Sequence, residues 1–525
     1  MSDGTGPAPP AALSHRQILT VFAGLMAGML LAALDQTIVS TSLPTIVGDL
    51  GGLSHLSWVV TAYLLTSTAA TPLFGKVSDL YGRKLLFQAA IVTFLVGSAL
   101  AGQSQNMAEL IAFRALQGVG GGGLIAMAQV IVGDVVSPRE RGRYMGYIGS
   151  VFALASVGGP LVGGYFVDNL TWRWVFYINV PVGIVALVVT NSVLRLPFRR
   201  VDHAVDYLGA ALLVCVVTSA VVVTSWGGTQ FAWTSPVISA LGGGGVAFLA
   251  VFLIQERRSL EPILPLQLFG NSIFVVANVA GFLVGATMFG SIVFLPLFLQ
   301  LVTGVSATSS GLLLLPLMAG LVLSSVASGR VITRFGRYRV FPIVGTAIMS
   351  VGVFLLSRMG AATTQTRASL YMAILGIGIG AVMQVLILAV QNSVARRDLG
   401  IATATASLFR SLGGAVGTAA FGAVLTNRLA YFIPRTLSGS RGIFDPSNLE
   451  AGPAALRQLP PAIRGRVVEA FAHSIQSVFQ AALPVAVLGF VVVLLLQERP
   501  LRDDAHIASA ATGEESGALE RAAER

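Results

Sequence analysis

The residue best placed to do chemistry is Asp35, set in a long apolar run between Leu34 and Gln36. It is the only carboxylate well inside the apolar segments of the first half. A charge at mid-bilayer costs about 2.5–3.5 kcal/mol on insertion scales, so such a residue usually faces a cavity and has a function. Desolvation disfavours its charged form. Asp35 is therefore a candidate to bind a proton, a cationic substrate, or both in competition; a neutralised or paired structural aspartate is the plain alternative. Arg114 lies about two turns inside another apolar segment. It stays charged there and would tune a nearby carboxyl. Glu109, five residues earlier, is its expected partner, and hydrogen bonding between helices is the alternative role for the arginine. Arg410 is a second buried cation, suited to anionic substrate groups or to bracing its own half. Gln117, Gln129, Asn278 and Gln384 are polar groups that would line a cavity, and Gln391 and Asn392 join them. Each serves equally well in a helix–helix hydrogen bond.

Two glycine-bearing stretches accompany these residues. In Gly75–Lys84, tight turns are expected at Gly75 and Gly82, around the opposite charges of Asp79, Arg83 and Lys84. Charge pairs that break and reform suit a two-state rocker. A positive anchor is the simpler reading, but Asp79 adds nothing to an anchor. Gly149, Gly158, Gly159, Pro160, Gly163 and Gly164 lie on one apolar segment. They permit close helix approach and a local bend, with packing alone as the alternative.

The elements that must hold these residues follow from composition. Hydrophobic residues make up 54% of the chain and charged residues 11%, too little charge for a soluble domain. A spanning helix needs about 20 mostly apolar residues. That ruler gives candidate spans at 18–42, 55–75, 85–104, 107–133, 144–166, 173–195, 206–226, 236–255, 272–301, 308–330, 340–358, 368–392, 400–427 and 474–497. With the N-terminus in the cytoplasm, arginines and lysines concentrate in the inside loops, as the positive-inside rule requires. Both termini then lie in the cytoplasm, with polar tails at 1–17 and 498–525. Residues 428–473 form the one long outer segment, expected as a loop with a short amphipathic helix near 463–473. A bland loop is the simplest reading of it; a cap over the exit path or a docking site for an envelope partner are the others. The net charge of +10 is spread between apolar runs, which argues against nucleic acid. The single Cys215 and the five histidines, all expected in loops or tails, offer no metal cluster.

The chain also repeats itself. GKVSDLYGRKLL from Gly75 matches GRVITRFGRYRV from Gly329 at an offset of 254 residues. Gly158-Gly159 matches Gly413-Gly414, and Leu43-Pro44 matches Leu295-Pro296, at nearly the same offset. Such repeats mark transporters that bind substrate at the repeat interface. Span one corresponds to span nine, so two spans (206–255) are inserted between an N-terminal bundle of six (18–195) and a C-terminal bundle of six (272–497). The expected fold class is all-α: an integral membrane protein of 14 transmembrane helices.

Several of these segments resemble motifs of the major facilitator superfamily. Gly75–Lys84 resembles its cytoplasmic loop signature, and Arg114-Ala115-Leu116-Gln117-Gly118-Val119-Gly120 its span-four motif. Gly149, Gly158, Gly159-Pro160 and Gly163-Gly164 are similar to the antiporter motif, with Ala155 where the fuller motif has glycine. Leu34-Asp35-Gln36-Thr37-Ile38-Val39 and Trp172-Arg173-Trp174 through Gly183 resemble the 14-span drug:proton antiporters of the EmrB/QacA type. The resemblance implies the major facilitator fold, with Asp79 and Arg83 latching the cytoplasmic side and Arg114 assisting proton transfer. The expected function is proton-driven export of drugs or other amphipathic molecules across the plasma membrane, that of a bacterial inner membrane, by alternating access and without a cofactor. Cationic substrates are expected if one carboxylate faces the cavity. A dedicated exporter of one metabolite, antibiotic, siderophore or envelope lipid shares every motif. A membrane sensor or scaffold on a non-transporting fold is the alternative of another class. No catalytic constellation is present, so no enzyme is expected.

Overall fold

The structure is a computed structural model that describes residues 15–52, 55–135, 141–193, 206–259, 262–395, 398–436 and 460–500. Residues 1–14 and 501–525 of the expected tails and the middle of the 428–473 segment fall outside that set. So do the side chains of Lys76, Asp79 and Gln129 and those of residues 141–150, which include Gly149.

Among the described residues the chain is helical. In its first half, α1 (His15–Leu50), α2 (Leu56–Tyr81), α3 (Arg83–Gln103), α4 (Met107–Val135) and α5 (Arg141–Asn169) precede the short α6 (Trp174–Tyr177) and α7 (Asn179–Val193). Next come α8 (Tyr207–Trp226) and α9 (Pro236–Arg258). The second half holds α10 (Ser272–Leu301), α11 (Ala307–Phe335), α12 (Val340–Leu356), α13 (Gln365–Ser393), α14 (Leu399–Thr436) and α15 (Pro461–Leu494). A helix lies over every expected span. By length and apolar composition, 11 of them are able to cross a membrane, with Val340–Leu356 a shorter apolar helix. Helices are required because lipid offers no partner to backbone N–H and C=O groups. Many begin where the sequence supplies a cap: Asp206, Ser235, Asn271, Ser306 and Thr364 each accept a hydrogen bond from a backbone N–H of the first turn.

The surface confirms the membrane reading. Leu154, Val246, Leu323 and Phe335 are each more than 60% exposed. The most apolar stretch of α9 is only 11% buried within the protein. Lipid is the solvent that such a surface requires.

Packing repeats between the halves as the sequence does. The pairs α2–α4, α3–α4, α1–α5 and α1–α7 recur as α11–α13, α12–α13, α10–α14 and α10–α15. The two bundles meet along α5–α11 and α2–α14. The inserted α8 rests on α2 and α14 together, with α9 on its outer side. It therefore covers one of the two seams, and no equivalent helix covers the α5–α11 seam among the described residues.

Two expectations are corrected here. Gly75 makes no turn: α2 runs through it to Tyr81, and Gly82 alone joins α2 to α3, at a φ of 95°. Its repeat partner Gly336 ends α11 in the left-handed region at 70°. Only glycine adopts such angles cheaply, which explains why both repeats keep it. The segment 428–473 is also more helical than a loop. α14 continues through 38 residues to Thr436, and α15 runs through 34 residues from Pro461. At 1.5 Å per residue these reach roughly 57 and 51 Å, well beyond a hydrocarbon core of about 30 Å. Residues 437–459 lie outside the described set. His473, expected in that loop, lies on α15 beside Glu469 and Gln476.

Candidate functional site

Asp35 and Arg114 meet. The Arg114 Nη1 atom donates to Asp35 Oδ2 at 2.5 Å, and the two side chains are 1% and 0% exposed. Both Asp35 oxygens are engaged. Oδ1 accepts from Gln117 Nε2 at 2.8 Å and from Asn179 Nδ2 at 3.3 Å. Arg114 also donates through Nε to the Val59 carbonyl and through Nη1 to Gln117 Oε1. Its guanidinium lies 4.4 Å from the centre of the Tyr63 ring, a cation–π distance.

Five helices build this cluster. Asp35 projects from α1, and Arg114 and Gln117 from α4, three residues apart and hence on one face. Tyr63 comes from α2 and Ser98 from α3. Asn179 opens α7, at the place where the expected span 173–195 breaks into α6 and α7. Pro181 lacks the N–H that a continuous helix would use, so a fresh start at Asn179 costs little. The Asn179 amide also donates to Ser98 Oγ, which in turn donates to the Phe176 carbonyl. Asn179, Ser98 and Tyr63 escaped the sequence reading. The Asn-x-Pro triplet inside an apolar run was the available signal for Asn179; uncharged Ser98 and Tyr63 gave none.

Glu109 is not the partner of Arg114. Five residues along a helix turn the side chain by about 140° to another face. Glu109 instead accepts from the Gln105 backbone N–H and from Asn106 Nδ2, closing the N-terminus of α4. In this conformation the carboxylate of Asp35 is enclosed by Arg114, Gln117 and Asn179 and does not line a cavity. A small cavity with room for about one water does reach Arg114 and Tyr63, lined by Gln36, Val39 and Ser40 on one side and by Phe289, Ile292 and Val293 of α10 on the other. The cluster therefore sits beside the seam between bundles.

The Gly and Pro run of α5 packs in two directions. A Cβ on Gly163 would lie 2.6 Å from the Ile38 carbonyl of α1. One on Gly164 would lie 2.5 Å from Thr308 Cα of α11, and Gly311 faces the Pro160 carbonyl. Ala155 preserves the close approach: its carbonyl accepts from Thr37 Oγ1 at 2.9 Å. Gly158 has nothing within 4 Å. Part of the motif thus joins α5 to its own bundle and part of it forms the seam with the other.

The direct hydrogen bonds between bundles cluster where α1 ends and α2 begins, here called the α1/α2 end. Asp168 accepts from the backbone N–H groups of Ala307 and Thr308, capping α11 across the seam. Gln300 Nε2 donates to the Thr41 carbonyl at 2.7 Å, in the turn that Pro44 deprives of an N–H. Trp172 Nε1 and Arg173 Nη1 bind Asp49 Oδ2 at this end. At the opposite end Arg83 donates to Ser78 Oγ, and Lys84 Nζ to the Asn191 carbonyl. The side chain of Asp79 is outside the described set, so the expected Asp79–Arg83 latch lies outside the described residues.

Asn278 is buried on α10, with Nδ2 bonded to the Phe274 carbonyl. Gln384 is exposed on α13, Gln391 bonds Thr403, and Asn392 reaches the carbonyls of Arg499 and Pro500. Arg410 is partly buried on α14. No group of three or more metal-ligating side chains occurs among the described residues.

Paired six-helix halves with a buried ion pair beside their seam are a transporter's architecture, and comparison with known proteins agrees. The sequence profile of the Major Facilitator Superfamily matches residues 25–418. The chain is 43% identical over 483 residues to an uncharacterized MFS-type transporter of Mycobacterium tuberculosis (strain H37Rv), covering 92% of this chain and 70% of that protein. It is 38% identical over 498 residues to the multidrug transporter protein MdtP of Bacillus subtilis, covering 90% and 92%. Among solved structures, a bacterial homologue of the human lysosomal transporter Spinster, in an inward-facing and occupied conformation, superposes with a TM-score of 0.67 at 15% identity, over 92% of this chain and 97% of that one. This chain belongs to the major facilitator superfamily.

Proposed function

We propose that this transporter exports amphipathic small molecules, drugs among them, from the cytoplasm in exchange for protons. The single observation that carries the reading is the enclosed Asp35–Arg114 pair beside the seam. A proton delivered to Asp35 would dissolve the pair and release Arg114 toward Tyr63, a local charge change of the kind that biases a bistable element. A sensor on a non-transporting fold would have no use for such a pair. If the Lys- and Arg-bearing loops are cytoplasmic, the α1/α2 end faces outward. The conformation seen here is then closed to the outside.

The test uses everted membrane vesicles loaded with a proton gradient and offered fluorescent dyes of either charge, ethidium and carboxyfluorescein. Uptake that a protonophore abolishes, and that Asp35→Asn reduces at least tenfold, is the expected result. Uptake indifferent to both would remove proton coupling at Asp35.

Asp168 supplies a second test. Partial burial pushes its carboxyl up, but hydrogen bonds from Thr308, Ser306 and Ala307 outweigh this and hold it below the ordinary value of 3.8. Because the value is lowered in the closed state, its contribution to closure is fully present above pH 3.8 and is lost as the pH falls below it. The closure should therefore be insensitive to pH near neutrality but sensitive to Asp168→Asn. A neutral cap weakens such a terminus by around 1 kcal/mol or less at an exposed site. A cysteine placed at the buried Ser310, in a background with Cys215 replaced, should react with an impermeant maleimide about two- to fivefold faster when Asp168 is asparagine. An unchanged rate would remove Asp168 from the closure.

A further inference from the structure

We propose that Arg410 is the point at which this transporter binds its substrate, through an acidic group, and that its substrates are amphipathic organic anions. The proposal rests on the transport reading above and adds the substrate's charge.

α14 lies against α10 at this level with almost no space between backbones. Gly285 faces the Arg410 carbonyl, and a Cβ on Gly417 would lie 2.5 Å from the Ala286 side chain. Asn278 stands seven residues before Gly285, hence on the same face of α10. Among the described residues, Arg410, Asn278 and the Thr418 hydroxyl on this pair of helices have polar atoms without partners. The Arg410 guanidinium makes no hydrogen bond, ion pair or ring contact among the described residues. The Asn278 amide, 1% exposed, has no partner for its Oδ1 atom.

Neither α10 nor α14 supplies an acidic residue to neutralise the arginine. From Ser272 to Arg397, and again from Leu399 to Thr436, the chain contains no Asp or Glu. The membrane carboxylate of the other half, Asp35, is consumed by Arg114, Gln117 and Asn179. The other buried carboxylates among the described residues are engaged elsewhere: Asp206 caps α8 and Glu256 accepts from the Leu264 backbone N–H, and neither is ion-paired with Arg410. An unpaired guanidinium at membrane depth is costly and persists where another molecule supplies the counter-charge. Arg410 keeps part of its surface open, so that molecule has access. The planar fork of an arginine matches carboxylate, sulfonate and phosphate oxygens in pairs. Apolar walls adjoin it: Phe409 packs on Phe269, with centroids 6.1 Å apart, and the Phe289 ring covers Gly414. An acid head with an apolar body fits that combination.

The experiment measures thermal melting of the purified full-length protein in detergent, with naphthalene-2-sulfonate as the anionic probe and tetraphenylphosphonium as the cationic one. Naphthalene-2-sulfonate should raise the wild-type melting temperature saturably. Arg410→Gln should weaken that binding at least tenfold, and Arg410→Lys, which keeps the charge, should retain part of it. Without ligand, Arg410→Gln should melt no lower than wild type, because it removes an unpaired charge. Equal sulfonate binding in wild type and Arg410→Gln would overturn the proposal. So would absence of sulfonate binding to wild type, or a ligand-free melting temperature in Arg410→Gln lower by many degrees, the mark of a structural brace. Vesicle uptake indifferent to protonophore, with Arg410-dependent sulfonate binding intact, would remove the coupling reading and leave this one.

Discussion

Arg114→Leu is expected to lower the stability of the purified protein by about 3–5 kcal/mol, the cost of stranding one member of a buried ion pair. The stranded group is Asp35, whose carboxylate would keep Gln117 and Asn179 but lose its only cation. The same change exposes the Tyr63 face and frees the Val59 carbonyl, both now covered by the guanidinium. Asp35→Leu should cost a similar amount by stranding the arginine. The double variant Asp35→Leu/Arg114→Leu should recover most of either loss, because well-packed apolar residues often replace a buried pair at little cost. Melting curves of the four proteins in one detergent decide the matter. Additive losses in the double variant would show that the two residues stabilise independently and that the pair is not the unit described here. Proton-driven transport should be absent from all three variants, including the stable double variant, which separates function from folding.

Gly164→Val is expected to reduce transport at least tenfold while leaving the protein folded. Gly164 meets Thr308 across the seam between bundles, so a branched side chain would hold the bundles apart at the α1/α2 end. It would not disturb the packing inside either bundle. Gly118→Val makes the contrast. Gly118 packs inside the N-terminal bundle, where a Cβ would lie 2.9 Å from Tyr63 Cα and closer still to its carbonyl. Overpacking against backbone has no cheap relief, and this variant should fail to accumulate in the membrane. Gly158→Val, with nothing within 4 Å, should be nearly silent in stability. Expression level and melting temperature, measured beside dye uptake, sort the three. A Gly164→Val protein that transports normally would show that the bundles need not close at this end during the cycle.

Much of the architecture was written in the order of residues. Apolar runs of spanning length can only become helices in lipid, because no other backbone arrangement of a single segment satisfies its own polar groups. Asp206, Ser235, Asn271, Ser306 and Thr364 placed helix starts, and Gly82 and Gly336 placed two turns, through local chemistry that needs no distant partner. The repeat announced two related bundles, and the same helix pairs recur in both. Local signals also misled. A glycine at Gly75 reads as a turn but sits inside α2, where the apolar pattern overrides it. The arginine-bearing stretch after the expected span 400–427 reads as loop, but α14 runs through its first part to Thr436.

The sequence by itself determined the kind of protein, its solvent and the identity of its two central charged residues, since an ionisable group in an apolar run is conspicuous without any structure. Only the tertiary structure decided how those charges are used. Asp35 and Arg114 lie 79 positions apart in the chain, and nothing along it says that they touch. Glu109 was the nearer candidate in sequence, but helix geometry turns it away. Asn179 and Ser98 carry no charge to betray them, and three-dimensional convergence brings them into the cluster. The isolation of Arg410 among the described residues is likewise a property of the fold, because it depends on which side chains the packing of α14 brings near it.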